Sequence, residues 1–463
     1  MSNITVIDSI MGSGKSTYIL NFINSHPNKR YLCVVPTKDK TLEKDGIDKQ
    51  GEIGRYMSNI NFKTYQPLEK PTKSKNLENL LKDGKNIVTT HSLITKSNNE
   101  IMNLIKEQGY TLIIDEVLDC VHSYNDNFKK SDFKLLLESG YVHIENDGFL
   151  KWNDTKQDFD GKYEQIKNLC NLKSLMTLKK GNGKWSDKVI IWRMPVAFFN
   201  SFKECYICTY LFGGSLQSSY FKLNKIKYEH KTIINGTLQE YTRDIELIQR
   251  KEKYKLMNIH TFEEVCKKFN NVNNKSFLNK TWYDRAYEEH KVYKKQSKET
   301  QKSIKEIFPN EDKFTTTKIE KFIKDKSKNN TSKFEILKNS IYYFKRHIID
   351  CGADEFMWTT FKNYRSYLNG KGYSKCFVSL NSKGTNDYRN CKGLAYLINL
   401  YPSTDLIHFF DSYGIHVDKD LYALSEMLQW IWRSRIRDNK QIDIYIPSER
   451  MRNLLNRWQE GSI

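Results

Sequence analysis

Short apolar runs alternate with helical patterns along the first third of the chain. The apolar runs are rich in β-branched and aromatic residues, which favour strands. Between the first two runs, the apolar residues of 16–25 recur at helical spacing, and this pattern stops before Pro27. Such alternation is typical of an α/β domain with a parallel sheet. The predicted strands are Ile4–Ile7, Tyr31–Val35, Ile87–Thr90, Thr111–Ile114 and Tyr206–Phe212.

A second α/β pattern begins after residue 345. It predicts strands at Phe356–Thr360, Cys376–Leu380 and Ile442–Ile446, and a helix over Leu421–Arg437. Between the two patterns, residues 251–340 hold 22 Lys+Arg against 13 Asp+Glu and few long apolar runs. This composition predicts a basic, exposed and largely helical insertion or linker.

The length of the chain bounds the number of domains, and its net charge indicates the type of binding partner. A chain of 463 residues is long enough for roughly three domains, or for two large ones with an insertion. The net charge of 75 − 55 = +20 favours a polyanionic partner, nucleic acid before membrane. A generally basic surface would give the same charge.

The cysteines and the lengths of the apolar runs indicate in which cellular compartment the protein is expected. Nine scattered cysteines, and a beginning that lacks the charged and then apolar segments of a signal peptide, predict a cytoplasmic protein of a reducing compartment. No apolar run approaches the roughly 18–20 residues that span a bilayer, so we expect a soluble protein without membrane contact. Cys205 and Cys208 form a Cys-x-x-Cys pair inside an apolar run. Residues three apart on a strand point to opposite faces, so we interpret the pair as core packing rather than a metal site.

A glycine-rich turn, SIMGSGKS, begins at Ser9 between the first predicted strand and the first predicted helix. It fits a phosphate-binding loop. Gly12 and Gly14 allow successive N–H groups to point at a phosphate. Lys15 would reach the β- and γ-phosphates, and the Ser16 hydroxyl would bind Mg²⁺. Ser9 stands where the common motif has glycine, a change that is tolerated when Gly12 is present. The predicted nucleotide contacts are Gly12, Ser13, Gly14, Lys15, Ser16 and Thr17.

The apolar strand Leu112–Ile114 is followed by two acids. Downstream of a phosphate loop, Asp115 is expected to hold Mg²⁺, directly or through water. Glu116 is expected to act as the general base that polarises the attacking water. The alternative is a strand end that is acidic by chance.

In order and spacing, four segments of the chain resemble motifs of superfamily 2 helicases, most closely those encoded by bacteriophages. The segments resembling motifs I, Ia, Ib/Ic and II are Gly12–Ser16, Val34–Thr37, Thr89–Ser92 and Asp115–Glu116. Val117 and Leu118 depart from the commonest form of motif II. The resemblance implies two RecA-like domains, 1–235 and 341–463. The basic segment 236–340 between them is expected to be either an accessory subdomain or part of the second domain.

The resemblance also implies contacts with nucleic acid. Thr37, Thr90 and Ser92 inherit the backbone-contacting role of motifs Ia and Ib; from the residues alone, they are hydroxyl side chains at strand ends. Phe356–Thr360 and Leu380–Asp387 occupy the places of motifs IV and V. In the latter, Thr385 and Asn386 are the candidates for contact with nucleic acid.

Near the end of the last helical pattern, QWIWRSRIR resembles motif VI. Residues four apart share a helix face, so Gln429, Arg433 and Arg437 would point the same way. By resemblance, these side chains approach the nucleotide, with Arg437 stabilising the transition state, Arg433 contacting the γ-phosphate and Arg435 in reserve. Ile436 stands where the family usually has its last arginine. The alternative is a solvated basic helix end.

Three further features leave alternatives open. Motif III falls either at Thr209 or at Gly213-Gly214-Ser215. Trp282 and Tyr283 of the insertion could stack on bases, although anchoring the insertion to a core is the favoured interpretation. No glutamine precedes Ser9, so selection of adenine by the usual route is unsupported and NTPs other than ATP could serve.

Together these features predict an ATP- and Mg²⁺-dependent nucleic-acid translocase or helicase. The implied partner is single-stranded or duplex DNA, with RNA as a second choice, and the implied setting is phage or plasmid replication with other replication proteins. One alternative is a terminase-type packaging ATPase, whose metal-dependent nuclease would need acids among Asp405, Asp411, Asp418 and Asp420. The other is a DNA-binding clamp that binds nucleotide without turnover.

Overall fold

The computed structural model describes residues 3–36, 51–124, 128–156, 163–265, 276–291, 294, 332–380 and 388–463. These residues form two compact units. Unit 1 comprises the described residues up to Gln249 together with Pro402–Ser425, and unit 2 comprises those of 250–401 and 426–463. The division differs from the expected boundaries in two ways: residues 402–425 belong to unit 1, and the segment 236–340 is shared between the units.

A mostly parallel sheet forms the centre of unit 1. The strands of unit 1 are β1 (Asn3–Asp8), β2 (Tyr31–Val35), β3 (Ile87–Thr90), β4 (Thr111–Asp115), β5 (Val121–Ser123), β6 (Val142–Ile144), β7 (Leu150–Trp152), β8 (Leu175–Met176), β9 (Ile191–Arg193), β10 (Glu204–Thr209), β11 (Glu229–Ile234) and β12 (Thr237–Glu240). Within the described residues the strand order of the central sheet is β12-β11-β1-β10-β4-β2-β3, and every neighbouring pair is parallel except β11 and β12.

The predicted α/β class is confirmed, and the five strands predicted in the first half all occur. One differs by more than one residue: β10 runs over Glu204–Thr209, whereas the prediction was Tyr206–Phe212. The chain leaves the sheet because Leu211 has a left-handed backbone, with φ of 56°, and Phe212–Gly214 form a 3₁₀ turn. The central strands are buried on both sides, as the continuous apolar runs of parallel strands require.

Unit 2 holds a smaller parallel sheet, whose strands are β13 (Met257–His260), β14 (Phe356–Thr359), β15 (Gly393–Tyr396) and β16 (Ile442–Tyr445). Their order in the sheet is β13-β16-β15-β14. The strand predicted at Cys376–Leu380 is wrong. Ser374–Cys376 form a 3₁₀ turn, and Phe377 makes only an isolated bridge to Trp358.

Helices connect and cover both sheets. The helix α1 (Lys15–Ser25) follows β1, and α2 (Glu52–Asn59) precedes β3. Further helices run over Lys73–Lys82, His91–Ile94, Asn99–Gln108, Lys130–Glu138, Glu164–Asn171, Val196–Asn200, Leu216–Leu223, Arg243–Tyr254, Phe262–Val265, 280–291, Lys333–Tyr343, Arg365–Leu368, Thr404–Ser412, Lys419–Ile431 and Glu449–Glu460. Within the described residues, no helix has both the length and the hydrophobicity to cross a bilayer.

Two aromatic residues of the basic segment anchor part of it in the core of unit 2. Tyr283 is fully buried in the core of unit 2, donates to the carbonyl of Leu397 at 2.8 Å and stacks on Tyr364 with ring centres 5.0 Å apart. Trp282 packs beside it, half-buried. These contacts support the anchoring interpretation over base stacking.

Candidate nucleotide-binding site

The glycine-rich turn forms a tight loop between β1 and α1. Gly12 and Gly14 both have positive φ, 85° and 89°, which glycine adopts without strain. A Cβ at Gly14 would meet nothing within 4 Å, so the requirement for glycine there is conformational rather than steric. The helix begins at Lys15, directly after the loop. Its first N–H groups therefore face the place where a phosphate would bind.

Ser9 ties the loop to the neighbouring strand. Its buried hydroxyl accepts from the backbone N–H of Ile233 at 2.7 Å and shares a hydrogen bond with the hydroxyl of Thr232 at 2.8 Å. Both partners lie on β11. The serine that replaces the usual glycine thus holds the loop against β11 through hydrogen bonds.

The ammonium of Lys15 is turned back onto the loop. It donates to the carbonyl oxygens of Ser9 and Ile10, the latter at 3.1 Å. Burial lowers the pKa of Lys15, while the negative charges of Asp8, Asp115 and Glu116 act in the opposite direction. The lysine therefore lies within electrostatic reach of Asp115, the predicted metal ligand, and of Glu116, the predicted base.

Strand register brings the two acids to the loop. Ile7 on β1 is paired with Cys208 on β10, and Cys208 is paired with Asp115 on β4, so the three form one row across the sheet. Two strand spacings separate the ends of the row, about 10 Å. Because the strands are parallel, Asp115 and the loop that follows β1 lie at the same carboxyl edge. The arrangement suits a triphosphate and metal bound across β10.

Asp115 is held by two side chains of α2. Its Oδ2 accepts from Arg55 Nη2 at 2.9 Å and from the Tyr56 hydroxyl at 3.2 Å. Burial alone would lower the pKa of Arg55, but the charge of Asp115 and of other neighbours raises it overall. His91 Nε2 donates to the carbonyl oxygen of Asp115 at 3.0 Å, which fixes the backbone of the same residue.

Glu116 follows in a left-handed conformation, with φ of 65°. Its N–H donates to the carbonyl of Cys208 at 2.8 Å. Such a conformation costs a non-glycine residue about 1–3 kcal/mol, and residues of this kind cluster at active sites. The strained backbone at Glu116 is consistent with a functional role for this acid.

Asp8 is a buried acid that the sequence analysis did not single out. Its carboxylate accepts from the N–H groups of Leu211 and Phe212 at 2.8 and 2.9 Å, and from His230 Nε2 at 3.1 Å. An acid at the end of an apolar strand was the available signal, the same signal that identified Asp115. Asp8 holds the turn after β10 against the start of the loop.

Both candidates for motif III lie on this side of the sheet. The Thr209 carbonyl accepts from the N–H of Ser9 at 3.1 Å. A Cβ on Gly214 would lie 2.6 Å from the backbone carbon of Leu421, so only glycine fits that position. Thr209 touches the loop directly, and Phe212–Gly214 reach it through Asp8.

Of the five residues predicted to contact nucleic acid, the structure describes two. Thr90 ends β3 and is half-buried, and Ser92 is exposed in the short helix that follows. Thr37, Thr385 and Asn386 lie outside the described residues. Their proposed roles stay predictions.

The predicted helical alignment of Gln429, Arg433 and Arg437 is wrong. The helix ends at Ile431, because the N–H of Arg433 bonds to the carbonyl three residues back instead of four, and Arg437 lies in a separate 3₁₀ turn. The buried guanidinium of Arg433 donates to the carbonyls of Ser379 and Leu380, at 2.9 and 3.0 Å. Arg437 is exposed, and Gln429 is half-buried in the helix.

The Cys-x-x-Cys pair and the acids near residue 410 do not form a metal site with other described residues. Cys205 and Cys208 are both buried in β10, and burial raises the pKa of each thiol. Among the described residues, no three His, Cys, Asp or Glu side chains gather as a metal site would require. The acids Asp405, Asp411, Asp418 and Asp420 are among these described residues.

The loop fits a magnesium nucleotide. The buried hydroxyl of Ser13 makes no hydrogen bond to any described residue, so it presents an unused donor inside the loop. Lys15 and the first N–H groups of α1 offer positive charge, and Ser16 and Asp115 offer the oxygen ligands that Mg²⁺ prefers. The set matches the chemistry of a triphosphate and its metal.

Comparison with known proteins places the chain in a family. Residues 124–192 match the YonV middle domain, and residues 301–459 match the YonV C-terminal Rossmann-like domain. Two solved structures are distantly similar. Xpd4 of S. tokodaii is 11% identical with a TM-score of 0.40, over 98% of this chain and 93% of that chain. The DUF1998 helicase MrfA, solved with DNA and AMPPNP, is 10% identical with a TM-score of 0.33, over 99% and 48%.

One relative is similar to this chain along its full length. The SPbeta prophage-derived protein YonV of Bacillus subtilis (strain 168) is 31% identical over 478 aligned positions, which span 100% of both chains. The chain therefore belongs to the YonV family.

Proposed function

We propose that unit 1 hydrolyses a nucleoside triphosphate with Mg²⁺, and that the protein uses this reaction to translocate along nucleic acid or unwind it. One observation carries the proposal: Lys15 of the loop and the acids Asp115 and Glu116 converge at the carboxyl edge of one parallel sheet. This is the arrangement that phosphoryl transfer needs, a cradle for phosphates beside a metal ligand and a base.

The residues divide the work as follows. Backbone N–H groups of the loop and of the start of α1 bind the phosphates, and Lys15 leaves the carbonyls of Ser9 and Ile10 for phosphate oxygens. Ser16 and Asp115 would hold Mg²⁺, which neutralises charge on the phosphates when bound. Glu116 orients the attacking water and accepts its proton.

The nucleic-acid part of the proposal is supported by the net charge of +20. DNA is the proposed partner because the related YonV is prophage-derived, and replication of phage or plasmid DNA in the bacterial cytoplasm is the proposed setting. Thr90 and Ser92, with Thr37, Thr385 and Asn386, are the proposed contacts. Arg437 is exposed and stays the proposed transition-state arginine, with Gln429 as a proposed nucleotide contact.

The test is NTP hydrolysis, measured with and without single-stranded DNA, duplex DNA and RNA. We expect wild-type hydrolysis that DNA stimulates. Lys15→Ala should weaken nucleotide binding and abolish turnover. Glu116→Gln should keep binding and lower turnover by about 10²-fold or more, because only the general base is removed.

Glu138→Gln provides the matched control, since Glu138 is an exposed acid at the end of the helix Lys130–Glu138. It should hydrolyse at the wild-type rate. Wild-type turnover in Glu116→Gln would show that this acid is not the base. Binding of nucleotide and DNA without any turnover would favour the clamp, and nuclease activity with Mg²⁺ or Mn²⁺ would favour the packaging enzyme.

A further inference from the structure

We propose that Arg55 senses the triphosphate: when the magnesium nucleotide binds, its guanidinium moves from Asp115 to the terminal phosphate. The inference rests on the proposed function, because it concerns the same site. Arg55 lies on α2, in the same unit as the phosphate loop, and its role is separate from that of the arginines near residue 435.

The first argument is position. The guanidinium donates at 2.9 Å to Oδ2 of Asp115, the residue proposed to hold Mg²⁺. The Tyr56 hydroxyl donates to the same oxygen. If Asp115 holds Mg²⁺ as proposed, Arg55 lies beside the place where the phosphates of the nucleotide would bind. Asp115 also acts electrostatically on Lys15, so the same acid connects the arginine to the loop.

The second argument is competition. A divalent cation and a guanidinium cannot share one carboxylate oxygen without strong repulsion, and arginine does not lose its proton in proteins. The pair is partly sheltered from water, with side-chain exposures of 32% for Arg55 and 12% for Asp115, so solvent screens this repulsion incompletely. Mg²⁺ held by Asp115 would therefore weaken the ion pair and favour release of the arginine.

The third argument is the donor set that Arg55 carries. Its Nε is buried and makes no hydrogen bond to any described residue, so the ion pair with Asp115 uses only part of the planar fork. A guanidinium fork matches phosphate oxygens, which can accept two parallel hydrogen bonds. Displacement from Asp115 gives these donors a partner only if the terminal phosphate is present. A diphosphate lacks that phosphate, so Arg55 would remain on Asp115 and oppose the metal.

Binding affinities test the inference without relying on turnover. The Kd of a non-hydrolysable ATP analogue and the Kd of ADP are measured by calorimetry with Mg²⁺, for wild type, Arg55→Ala and the control Arg30→Ala. Arg30 is an exposed arginine of unit 1 that donates to the backbone carbonyl of Gln108. We expect Arg55→Ala to weaken analogue binding by roughly 10- to 100-fold, the worth of charge-assisted hydrogen bonds. ADP should bind as in wild type or more tightly, and Arg30→Ala should change neither value.

Other outcomes distinguish failure of this inference from failure of the proposed function. If Arg55→Ala raised the Kd of the ATP analogue and the Kd of ADP by the same factor, the inference would be overturned, because Arg55 would then only position Asp115. If both Kd values equalled those of the wild type, the inference would be overturned as well. Absence of nucleotide binding in the wild type would instead reject the proposed function. If Arg55→Ala does not fold, Arg55→Lys keeps the charge and removes the fork, and it should lose part of the preference for the triphosphate analogue.

Discussion

At the residue scale, the loop shows which features a sequence reveals. Gly12, Gly14 and Lys15 could be identified because their spacing is set by local backbone geometry and phosphate chemistry. Arg55 could not, because it is one of 75 Lys and Arg residues and meets Asp115 only through the tertiary fold. Ser9 is intermediate: its departure from glycine was visible, but its reason, a hydrogen bond to β11, was not.

Ser9→Ala should therefore destabilise unit 1. The substitution leaves the buried N–H of Ile233 without its acceptor, which costs about 1–3 kcal/mol in free energy of unfolding. Urea denaturation followed by circular dichroism measures the loss. Ser92→Ala is the control, since that side chain is exposed, and it should change stability by less than about 0.5 kcal/mol. Equal stability of Ser9→Ala and wild type would show that the loop is not fastened through this hydroxyl.

At the scale of elements, strands were predicted better than helix ends. The apolar runs of β1, β2, β3 and β4 are continuous because both faces of the sheet are covered, and this makes them visible in the sequence. The end of the helix Lys419–Ile431 is set instead by tertiary contacts. Arg433 donates to two carbonyls of the segment after β14. At this point the backbone hydrogen bond spans three residues instead of four, which ends the α-helix. A helical pattern that continued through the arginines could not reveal this.

The two arginines should consequently differ in what their loss changes. Arg433→Ala should lower the free energy of unfolding of unit 2 by about 1.5–3 kcal/mol, the range for hydrogen bonds of a charged group. Arg437→Ala should leave stability unchanged, because the side chain is exposed. If Arg437 serves hydrolysis as proposed, its removal should lower DNA-stimulated turnover by about 10³-fold or more. Thermal unfolding and NTP hydrolysis, measured on both variants, distinguish the structural role of Arg433 from the role of Arg437 in hydrolysis. A lower melting temperature of Arg437→Ala would contradict the expectation that this exposed side chain does not contribute to stability.

At the scale of the whole molecule, the two α/β patterns predicted two units, but not how the chain is divided between them. Residues 402–425 follow β15 in sequence yet pack in unit 1, where Phe409 and Phe410 join the core beside the central sheet. The helical pattern of this segment is the same in either unit, so only tertiary packing decides. Net charge is the other global feature visible in the sequence, and it bears on the partner rather than on the fold.

Nucleic-acid binding should therefore depend steeply on salt. Each phosphate neutralised by Lys or Arg releases counterions, so the logarithm of affinity should fall linearly with the logarithm of salt concentration. Contacts with roughly six to ten phosphates would weaken binding about 10³- to 10⁵-fold between 50 and 200 mM salt. Fluorescence anisotropy with labelled single-stranded and duplex DNA of several sequences measures the slope, which should vary little with sequence because backbone contacts dominate. Lys15→Ala should bind with the wild-type slope when nucleotide is absent, since its ammonium is bonded to loop carbonyls. A flat salt response, or no binding at low salt, would mean that the charge of +20 reflects only a generally basic surface and would reject translocation along nucleic acid.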